Sequence, residues 1–385
     1  MGKFELIATA TFGLESIVAR EVKKLGYTDI KTENARVSFT GDEEAVCRCN
    51  LWLRSADRVF IKMGEFPART FDELFEGAKA LPWGDILPGN ANFPVQGKSV
   101  KSALFSVPDC QAIVKKAVVE KMKQKYKKEW FEEDGPKFTI EVGLLKDVAT
   151  ITIDTSGPGL HKRGYRQTAG DAPLKETLVA AMIDLSFWNP DRILMDPMCG
   201  SGTIPIEAAM IGLNMAPGLK RHFASEEWPF IPEHLWKAAR EEAEAAIDRS
   251  KEFRILASDI DGRVLKIARK NAQLAGVENY IAFQTLPLKE ISSKKKYGCI
   301  ITNPPYGERL GEQKEAEKIY REMGEVFRKL DTWSFYVLTS HKGFERFFGR
   351  RADRKRKLYN GRIEVDYYQF YGPKPPKKQD EINHT

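Results

Sequence analysis

The chain has 385 residues, of which 42% are hydrophobic and 30% charged, and its formal net charge is +7. This composition is typical of a soluble globular protein of two or three domains, and no apolar stretch approaches the ~20 residues of a membrane-spanning helix. The first residues lack the apolar core of a signal peptide, so we expect a cytoplasmic protein. Only Cys47 and Cys49 of the five cysteines lie close together, without the spacing of a zinc or redox motif. We therefore expect reduced thiols and no metal.

The N-terminal part of the chain mixes strand and helix patterns in the manner of an α+β fold. Helical spacing runs from Leu14 to a stop signal at Gly26, a second helix begins near Asp42, and a basic helix covers about 109–128. The strand patterns lie at 4–10, 35–39, 58–63, 137–143 and 147–153. We expect a ferredoxin-like unit over 1–66 and a second α+β unit over 67–155.

Strands alternate with long helices from residue 160 onwards, which predicts a doubly wound, mostly parallel α/β sheet over 160–371. The predicted strands are 193–196, 254–259, 280–284, 298–302, 334–339 and a pair around 363–371, and the predicted helices are 203–212, 261–275 and 315–330. We interpret about 213–250 as an insertion with an amphipathic helix at 233–249. The Pro/Lys-rich tail over 372–385 is predicted to be disordered.

An Asn-Pro-Pro-Tyr tetrapeptide follows the apolar run 299–302. Two prolines fix φ and remove two N–H donors, so the carbonyls before them are free to face outwards beside the amide oxygen of Asn303. Acceptors next to an aromatic ring suit a planar amino group, although a proline-rich surface turn is the alternative. The candidate catalytic residues are Asn303, Pro304, Pro305 and Tyr306.

A glycine-rich turn connects the strand ending at Asp196 to the helix that begins near Thr203. A nucleotide-binding P-loop is excluded because no lysine follows Gly202, and a dinucleotide site is weakened because the next acidic strand end is as distant as Asp259. S-adenosylmethionine fits best, with Asp196 accepting from its amino group and Asp259 from its ribose hydroxyls. The candidate cofactor-binding residues are Asp196, Pro197, Met198, Cys199, Gly200, Ser201, Gly202, Thr203, Asp259, Ile260 and Asn303.

Positive charge is concentrated in two segments, 115–128 and 342–357, each with a net charge of +6, so the remaining sequence sums to −5. Cations with interleaved aromatic residues are typical of a phosphate-binding surface, although 115–128 alone is equally typical of a solvated helix face. Lys162, Arg163 and Arg166 are either phosphate contacts or a solvated hinge. The candidate residues for binding nucleic-acid phosphates are Lys115, Lys116, Lys162, Arg163, Arg166, Arg350, Arg351, Arg354, Lys355, Arg356 and Lys357.

With these motifs in place, the chain resembles the THUMP-containing class I methyltransferases that act on guanine N2 of ribosomal RNA, a family often labelled N6-adenine-specific DNA methylases. Residues 102–111 resemble the signature of the THUMP domain, an RNA-binding module. The stretches that resemble the family's catalytic half are 160–166, 172–177, 303–310 and 356–361. The resemblance covers nearly the whole chain.

The resemblance implies an S-adenosylmethionine cofactor, a Rossmann-like catalytic domain, a THUMP domain over 67–155 and 23S ribosomal RNA or an assembling large subunit as the partner. It leaves the oligomeric state open. Family members often place a carboxylate after the third strand for the adenine amino group, and the stretch 286–288 here has none. The long bacterial form has a second methyltransferase half, so we expect one activity from this chain. An N6-adenine DNA methyltransferase and a non-catalytic RNA-binding or assembly factor remain alternatives.

Overall fold

The computed structural model describes residues 2–166, 174–307 and 312–376. Ala172, Pro173 and 308–310 of the motifs quoted above lie outside the described residues, as does 377–385 of the predicted disordered tail. Within the described part, no helix is long and apolar enough to cross a membrane. The five cysteines are buried free thiols.

The chain forms two compact units, each with its own seven-stranded sheet. Of the described residues, the first contains 2–10, 18–160 and 221–245, and the second contains 11–17, 161–166, 174–220, 246–307 and 312–376. The strands are β1 (Phe4–Ala10), β2 (Lys31–Glu33), β3 (Arg36–Gly41), β4 (Ala56–Pro67), β5 (Val95–Val100), β6 (Thr139–Leu145), β7 (Val148–Asp154), β8 (Leu194–Asp196), β9 (Ile255–Asp259), β10 (Ile281–Thr285), β11 (Cys299–Thr302), β12 (Ser334–Thr339), β13 (Arg354–Asn360) and β14 (Ile363–Phe370). The helices are α1 (Glu15–Lys24), α2 (Glu43–Trp52), α3 (Phe71–Ala80), α4 (Trp83–Ile86), α5 (Val107–Tyr126), α6 (Glu176–Asp184), α7 (Thr203–Gly212), α8 (Glu233–Ala245), α9 (Gly262–Ala275), α10 (Glu312–Phe327) and α11 (Phe344–Phe348).

The sheet of the first unit has the order β2-β3-β1-β4-β7-β6-β5, and every pair is antiparallel except β5 with β6. The long strand β4 pairs with β1 on one side and β7 on the other, so the two predicted α+β regions share one continuous sheet. Local signals define the helices: the Asp42 side chain accepts from the Ala45 N–H at the start of α2, and Thr70 and Glu73 form a capping box at the start of α3.

Residues 221–245, the middle of the predicted insertion, belong to the first unit rather than to the methyltransferase-like region around them. Their aromatic side chains join the hydrophobic core of that unit, where Trp228 stacks on Phe138 with ring centroids 4.5 Å apart. On α8, both carboxylate oxygens of Glu242 accept from Arg48 at 2.9 Å. The sequence pattern predicted a helix here, but it contained no signal for the surface against which that helix packs.

The sheet of the second unit has the order β10-β9-β8-β11-β12-β14-β13. The first five strands are parallel, and β14 is antiparallel to both β12 and β13. Side chains alternate between two hydrophobic clusters, with Cys299 and Ile301 of β11 in one and Ile300 in the other. The order reverses between β8 and β11, and open α/β sheets bind ligands beyond the carboxyl ends of the strands at such a reversal.

Candidate active site

The glycine-rich turn after β8 is held in place by hydrogen bonds to its main-chain atoms. The Cys199 N–H donates to the Ser258 carbonyl at 2.9 Å, and the side-chain amide of Asn271 donates to the Ser201 carbonyl at 3.1 Å. Gly200 and Gly202 have φ angles of +52° and +87°, which L-residues rarely adopt. A Cβ at Gly200 would meet no protein atom within 4 Å, so the turn presents open space there.

Asp196 is buried beneath this turn and accepts hydrogen bonds that hold it. Its Oδ1 accepts from the Thr302 hydroxyl at 2.8 Å and from the Met198 N–H at 3.2 Å. The side chain is buried, with 1% exposure, and this burial raises the pKa of its carboxyl to about 7. Asp196 does not line the cavity described below, whereas its neighbours Pro197 and Met198 do. In this structure the carboxylate therefore supports the loop and connects β8 to β11.

Asp259 at the end of β9 has a different environment. Its Oδ2 accepts from the Gly200 N–H and its Oδ1 from the Asp261 N–H, both at 3.0 Å. A carboxylate has about four acceptor positions, so two remain for a ligand. The next residue, Ile260, is 75% exposed although it is aliphatic. An acceptor pair beside an exposed aliphatic side chain is suited to a ribose and the flat base attached to it.

A cavity of about 810 Å³ connects these strand ends. Its walls include Asp259 and Ile260, the tetrapeptide, and the stretch 286–288 after β10. The polar side chains around it include Glu312 and Glu322, and Leu286, Pro287 and Leu288 supply an apolar wall without a carboxylate. The cavity lies at the reversal of strand order and is large enough for a nucleoside-sized cofactor and a base.

The tetrapeptide forms the far side of this cavity. The Tyr306 hydroxyl donates to Asn303 Oδ1 at 2.6 Å, which fixes the amide oxygen next to the aromatic ring. The Pro305 carbonyl accepts at 2.7 Å from the hydroxyl of Tyr320, a fully buried residue of α10. Tyr320 in turn contacts the Thr339 hydroxyl at 3.0 Å, at the end of β12. Sequence reasoning missed Tyr320, because nothing in its local pattern distinguishes it from an ordinary core residue.

Cys199 lies in the turn but is not suited to nucleophilic chemistry. Burial raises the pKa of its thiol well above the usual range, and the carboxylates of Asp196 and Asp259 act in the same direction. The thiol is therefore uncharged at neutral pH. Among the described residues, no cluster of three or more His, Cys, Asp or Glu side chains is arranged to hold a metal ion.

The structure separates the candidate RNA-binding residues into two groups. Arg163 is 3% exposed, and its guanidinium bonds to Glu207, which is fully buried and also accepts from the Tyr165 hydroxyl. Arg166 pairs with Glu176 at 2.9 Å and donates to the Thr203 hydroxyl at 2.8 Å. The sequence left Arg163 open between a phosphate contact and a solvated hinge; in the structure its charge is paired with Glu207 inside the fold. Lys162 is exposed.

The remaining candidates differ in how far their charge is compensated. Lys115 bonds to Glu133 at 2.6 Å and lies over the Phe93 ring, Lys116 lies over the Phe75 ring, and Arg356 is half-buried. Carboxylate partners also lie near Arg350, Lys355 and Lys357. Arg351 and Arg354 are exposed, and the described part of the chain offers neither of them a carboxylate within ion-pair distance. The basic segment 342–357 is therefore partly neutralised.

Family models match most of the chain. Residues 163–369 match the RMKL-like methyltransferase domain, residues 5–60 the RlmL ferredoxin-like domain and residues 68–154 the THUMP domain. A Bacillus subtilis (strain 168) protein named "Putative RNA methyltransferase YpsC" is 53% identical over the full length of both chains.

A more distant relative and a solved structure are also methyltransferases by name. The "Ribosomal RNA large subunit methyltransferase K/L" of Marinobacter nauticus is 34% identical over 96% of this chain, which corresponds to 53% of that longer protein. The crystal structure of SMU.472, described as "a putative methyltransferase complexed with SAH", is 49% identical and covers 98% of this chain and 100% of its own, with a TM-score of 0.92. The chain therefore belongs to the RMKL-like methyltransferase family, with a ferredoxin-like and a THUMP domain before the catalytic domain.

Proposed function

We propose that this protein transfers a methyl group from S-adenosylmethionine to the exocyclic N2 of a guanosine in 23S ribosomal RNA. The observation that supports this most strongly is the position of the Asn303 amide oxygen and the Tyr306 ring, which line the same cavity as Asp259 and Ile260. An S-adenosylmethionine-dependent RNA methyltransferase is the broader description. The choice of guanine N2 rests on the relationship to the K/L ribosomal RNA methyltransferase.

The residues of the glycine-rich turn and of the cavity fit S-adenosylmethionine. The open space at Gly200 accommodates its methionine portion, the two remaining acceptor positions of Asp259 suit the ribose hydroxyls, and Ile260 with the wall 286–288 suits the adenine ring. When bound, S-adenosylmethionine supplies an electrophilic methyl group on a positively charged sulfur. The wall 286–288 contains no carboxylate, so this wall would recognise the adenine amino group only through its main chain or by packing.

The chain's own residues act on the base. The Asn303 amide oxygen has two lone pairs, and because the Tyr306 hydroxyl occupies one, the other is available to the exocyclic amine. Accepting from this N–H directs the nitrogen lone pair at the methyl group. The Pro304 carbonyl is a second acceptor, since the described residues donate no hydrogen bond to it. The Tyr306 ring stacks on the base once the base has left its helix.

Transfer breaks the S–CH₃ bond and forms an N–CH₃ bond. The electron pair of the broken bond stays on sulfur, leaving S-adenosylhomocysteine, and the methylated nitrogen loses its extra proton to solvent. The cationic amine is acidic, so the chain needs no strong general base. Positioning and hydrogen bonding supply the rate. The exposed cations of 342–357 and the THUMP domain hold the RNA through its backbone and shape.

The test is methyl transfer by purified protein from radiolabelled S-adenosylmethionine to ribosomal RNA or to DNA, followed by nucleoside analysis. We expect N2-methylguanosine in RNA. Asn303→Ala should lower kcat by about 10²- to 10³-fold, the usual effect of removing one positioned polar group, while cofactor affinity changes far less. Asn303→Asp keeps an acceptor oxygen and should retain more activity.

Asn189→Ala serves as the control, because Asn189 follows α6 outside the cavity. N6-methyladenine in DNA as the only product would support the DNA methyltransferase alternative. Transfer to no substrate, with RNA binding intact, would support the binding factor. Full activity of the Asn303→Ala variant would remove the role assigned to Asn303.

A further inference from the structure

The hairpin formed by β13 and β14 extends past the carboxyl edge of the sheet. Thr339, the last residue of β12, pairs with Asp366, whereas β14 begins three residues earlier at Ile363. Three strand residues span about 10 Å. Asn360 and Ile363, on either side of the hairpin turn, line the cavity. The tip of this hairpin therefore lies at the mouth of the candidate active site.

Residues 11–17, from near the start of the chain, lie against the same hairpin within the second unit. β13 is the last strand of its sheet, and a Cβ at Gly13 would lie 3.2 Å from the Lys357 carbonyl along that strand. Leu14 and Ile17 are buried in the hydrophobic cluster that contains Leu358. The segment is thus anchored by two apolar side chains beside an otherwise open strand edge.

Phe12 is carried by this anchored segment but does not join the core. It is 51% exposed, and its ring meets the ring of Tyr359 edge to face, with centroids 6.2 Å apart and an interplanar angle of 73°. Tyr359 directly precedes Asn360, which lines the cavity. Since Leu14 and Ile17 already anchor the segment, folding does not account for an exposed aromatic face at this place.

The charge of the surrounding hairpin indicates what covers this face. Residues 354–362 carry five cations and no carboxylate. The side chains of Lys355 and Lys357 pair with Asp366 and Glu364, but Arg354 and Arg362 are exposed. An exposed ring among cations is complementary to an unpaired nucleotide, which offers a flat base and a phosphate together.

We propose that Phe12 and Tyr359 form a stacking platform for the unpaired nucleotide next to the base that enters the cavity, with Arg362 of the hairpin turn near its phosphate. This inference rests on the proposed function and adds a requirement to it, namely that the RNA is single-stranded beside the target. Stacking on an aromatic ring accepts any base, so the platform contributes affinity and orientation, and it leaves the choice of nucleotide to the cavity.

The test compares Phe12→Ala, Phe12→Trp and Phe187→Ala. Phe187 is a matched control, because it is 52% exposed in the same unit but precedes β8, at the amino edge of the sheet. Each variant is titrated, with S-adenosylhomocysteine present, against a fluorescent single-stranded oligoribonucleotide of about ten nucleotides. The KM values for ribosomal RNA and for S-adenosylmethionine are measured separately.

We expect Phe12→Ala to weaken oligoribonucleotide binding and to raise the RNA KM by roughly 5- to 100-fold, the range for losing one stacked base. The KM for S-adenosylmethionine should not change, and Phe12→Trp and Phe187→Ala should behave like the unaltered protein. Equal binding by Phe12→Ala would overturn the platform, as would an equal loss with Phe187→Ala or Phe12→Trp. If Phe12→Ala weakened binding to another protein but left RNA binding unchanged, the face would be a protein-binding surface. That result would also overturn the platform.

The binding titration needs no turnover, so it separates this inference from the proposed function. If the unaltered protein methylates adenine or nothing at all while Phe12→Ala still weakens RNA binding, the platform stands and the proposed function fails. If guanine N2 is methylated equally well by both proteins and RNA binding is equal, the proposed function stands and the platform fails.

Discussion

The polar residues at the strand ends of the second unit differ from the candidate RNA-binding cations in the hydrogen bonds and ion pairs that they form. At the carboxyl edge of that sheet, Asp196 and Asp259 end two neighbouring strands and Asn303 follows a third, and each receives a hydrogen bond from a residue near it in the fold. Among the cations, Arg163 bonds to Glu207 on α7 and Lys115 to Glu133 beyond the end of α5. Asp259 and Asn303 keep free acceptor positions that face the cavity, whereas the charges of Arg163 and Lys115 are compensated by carboxylates of the fold.

This difference shows which kind of functional site a sequence encodes locally. A residue at the carboxyl end of a parallel strand is placed at the ligand-binding edge by the strand itself. The availability of a lysine or arginine depends on whether a carboxylate from elsewhere reaches it, and charge counts do not contain that information. Counting positive residues therefore overestimates the extent of a nucleic-acid-binding surface. Of the four substitutions that follow, two test the cations and two test the support of the cavity.

The largest expected effect is that of Arg163→Ala. It would leave the Glu207 carboxylate, which has 0% side-chain exposure, without its cation, and removing one partner of a buried pair typically costs about 3–5 kcal/mol. We expect a loss of this size in the free energy of urea unfolding, with oligoribonucleotide affinity unchanged in the fraction that folds. Unchanged stability with weakened RNA binding would restore Arg163 to the RNA-binding surface.

The second-largest effect is expected for Asp196→Asn, which changes the residue that supports the glycine-rich turn. Burial raises the pKa of the Asp196 carboxyl to about 7. The folded-state value lies above the unfolded one of about 4, so stability from the neutral carboxyl is complete below pH 4 and is lost as the pH rises through 7. The free energy of unfolding of Asp196→Asn should therefore exceed that of the unaltered protein by on the order of 2–4 kcal/mol at pH 8. The difference should be smaller at pH 5.

Asp331→Asn is the control for this pH series, because Asp331 is exposed. Its unfolding free energy should follow that of the unaltered protein at every pH. An Asp196→Asn variant with the same pH dependence as the unaltered protein would show that Asp196 does not titrate in this range in the folded state.

A smaller effect is expected for Tyr320→Phe, which removes the hydroxyl that donates to the Pro305 carbonyl. Losing one neutral hydrogen bond of ~1 kcal/mol should lower kcat by about 5- to 10-fold through misplacement of Asn303. The KM values for RNA and cofactor should stay the same, because Tyr320 itself does not line the cavity. Tyr336→Phe is the matched control, since its buried hydroxyl accepts from the Phe187 N–H. Equal losses of kcat in both variants would indicate a general effect on the sheet.

The smallest effect is expected for Arg351→Ala. Because Arg351 is exposed, its removal should change unfolding free energy by less than ~0.5 kcal/mol. RNA affinity should fall about 2- to 3-fold, and the slope of log affinity against log salt should decrease by about 1, as for one lost phosphate contact. Arg249→Ala, an exposed arginine outside the basic segments, should leave the slope as it was. An unchanged slope for Arg351→Ala would remove this residue from the surface.

Much of the second unit could be predicted from the sequence, because its strands are short apolar runs followed by recognisable turns. The helix predicted over 203–212 has these bounds in the structure, and the predicted strand ends at Asp196 and Asp259 are observed. β13 was missed, since Arg354 to Lys357 carry no apolar alternation. Its strand conformation comes from pairing with β14, which is a tertiary contact.

The residues that line the cavity could be predicted from the sequence, but the contacts that hold them in place could not. The spacing of strand ends placed Asp259 and Asn303 together, and both line the cavity. It did not reveal that Asp196 is buried beneath the loop, that Tyr320 holds the Pro305 carbonyl, or that residues 11–17 belong to the second unit. Each of these depends on a contact between residues far apart in sequence.

The most direct test of the central claim is nucleoside analysis of large-subunit ribosomal RNA from cells with and without this protein. We predict that one N2-methylguanosine disappears in its absence, and that it is restored by the unaltered protein but not by the Asn303→Ala variant. An unchanged RNA methylation pattern, accompanied by loss of N6-methyladenine from DNA, would contradict the account.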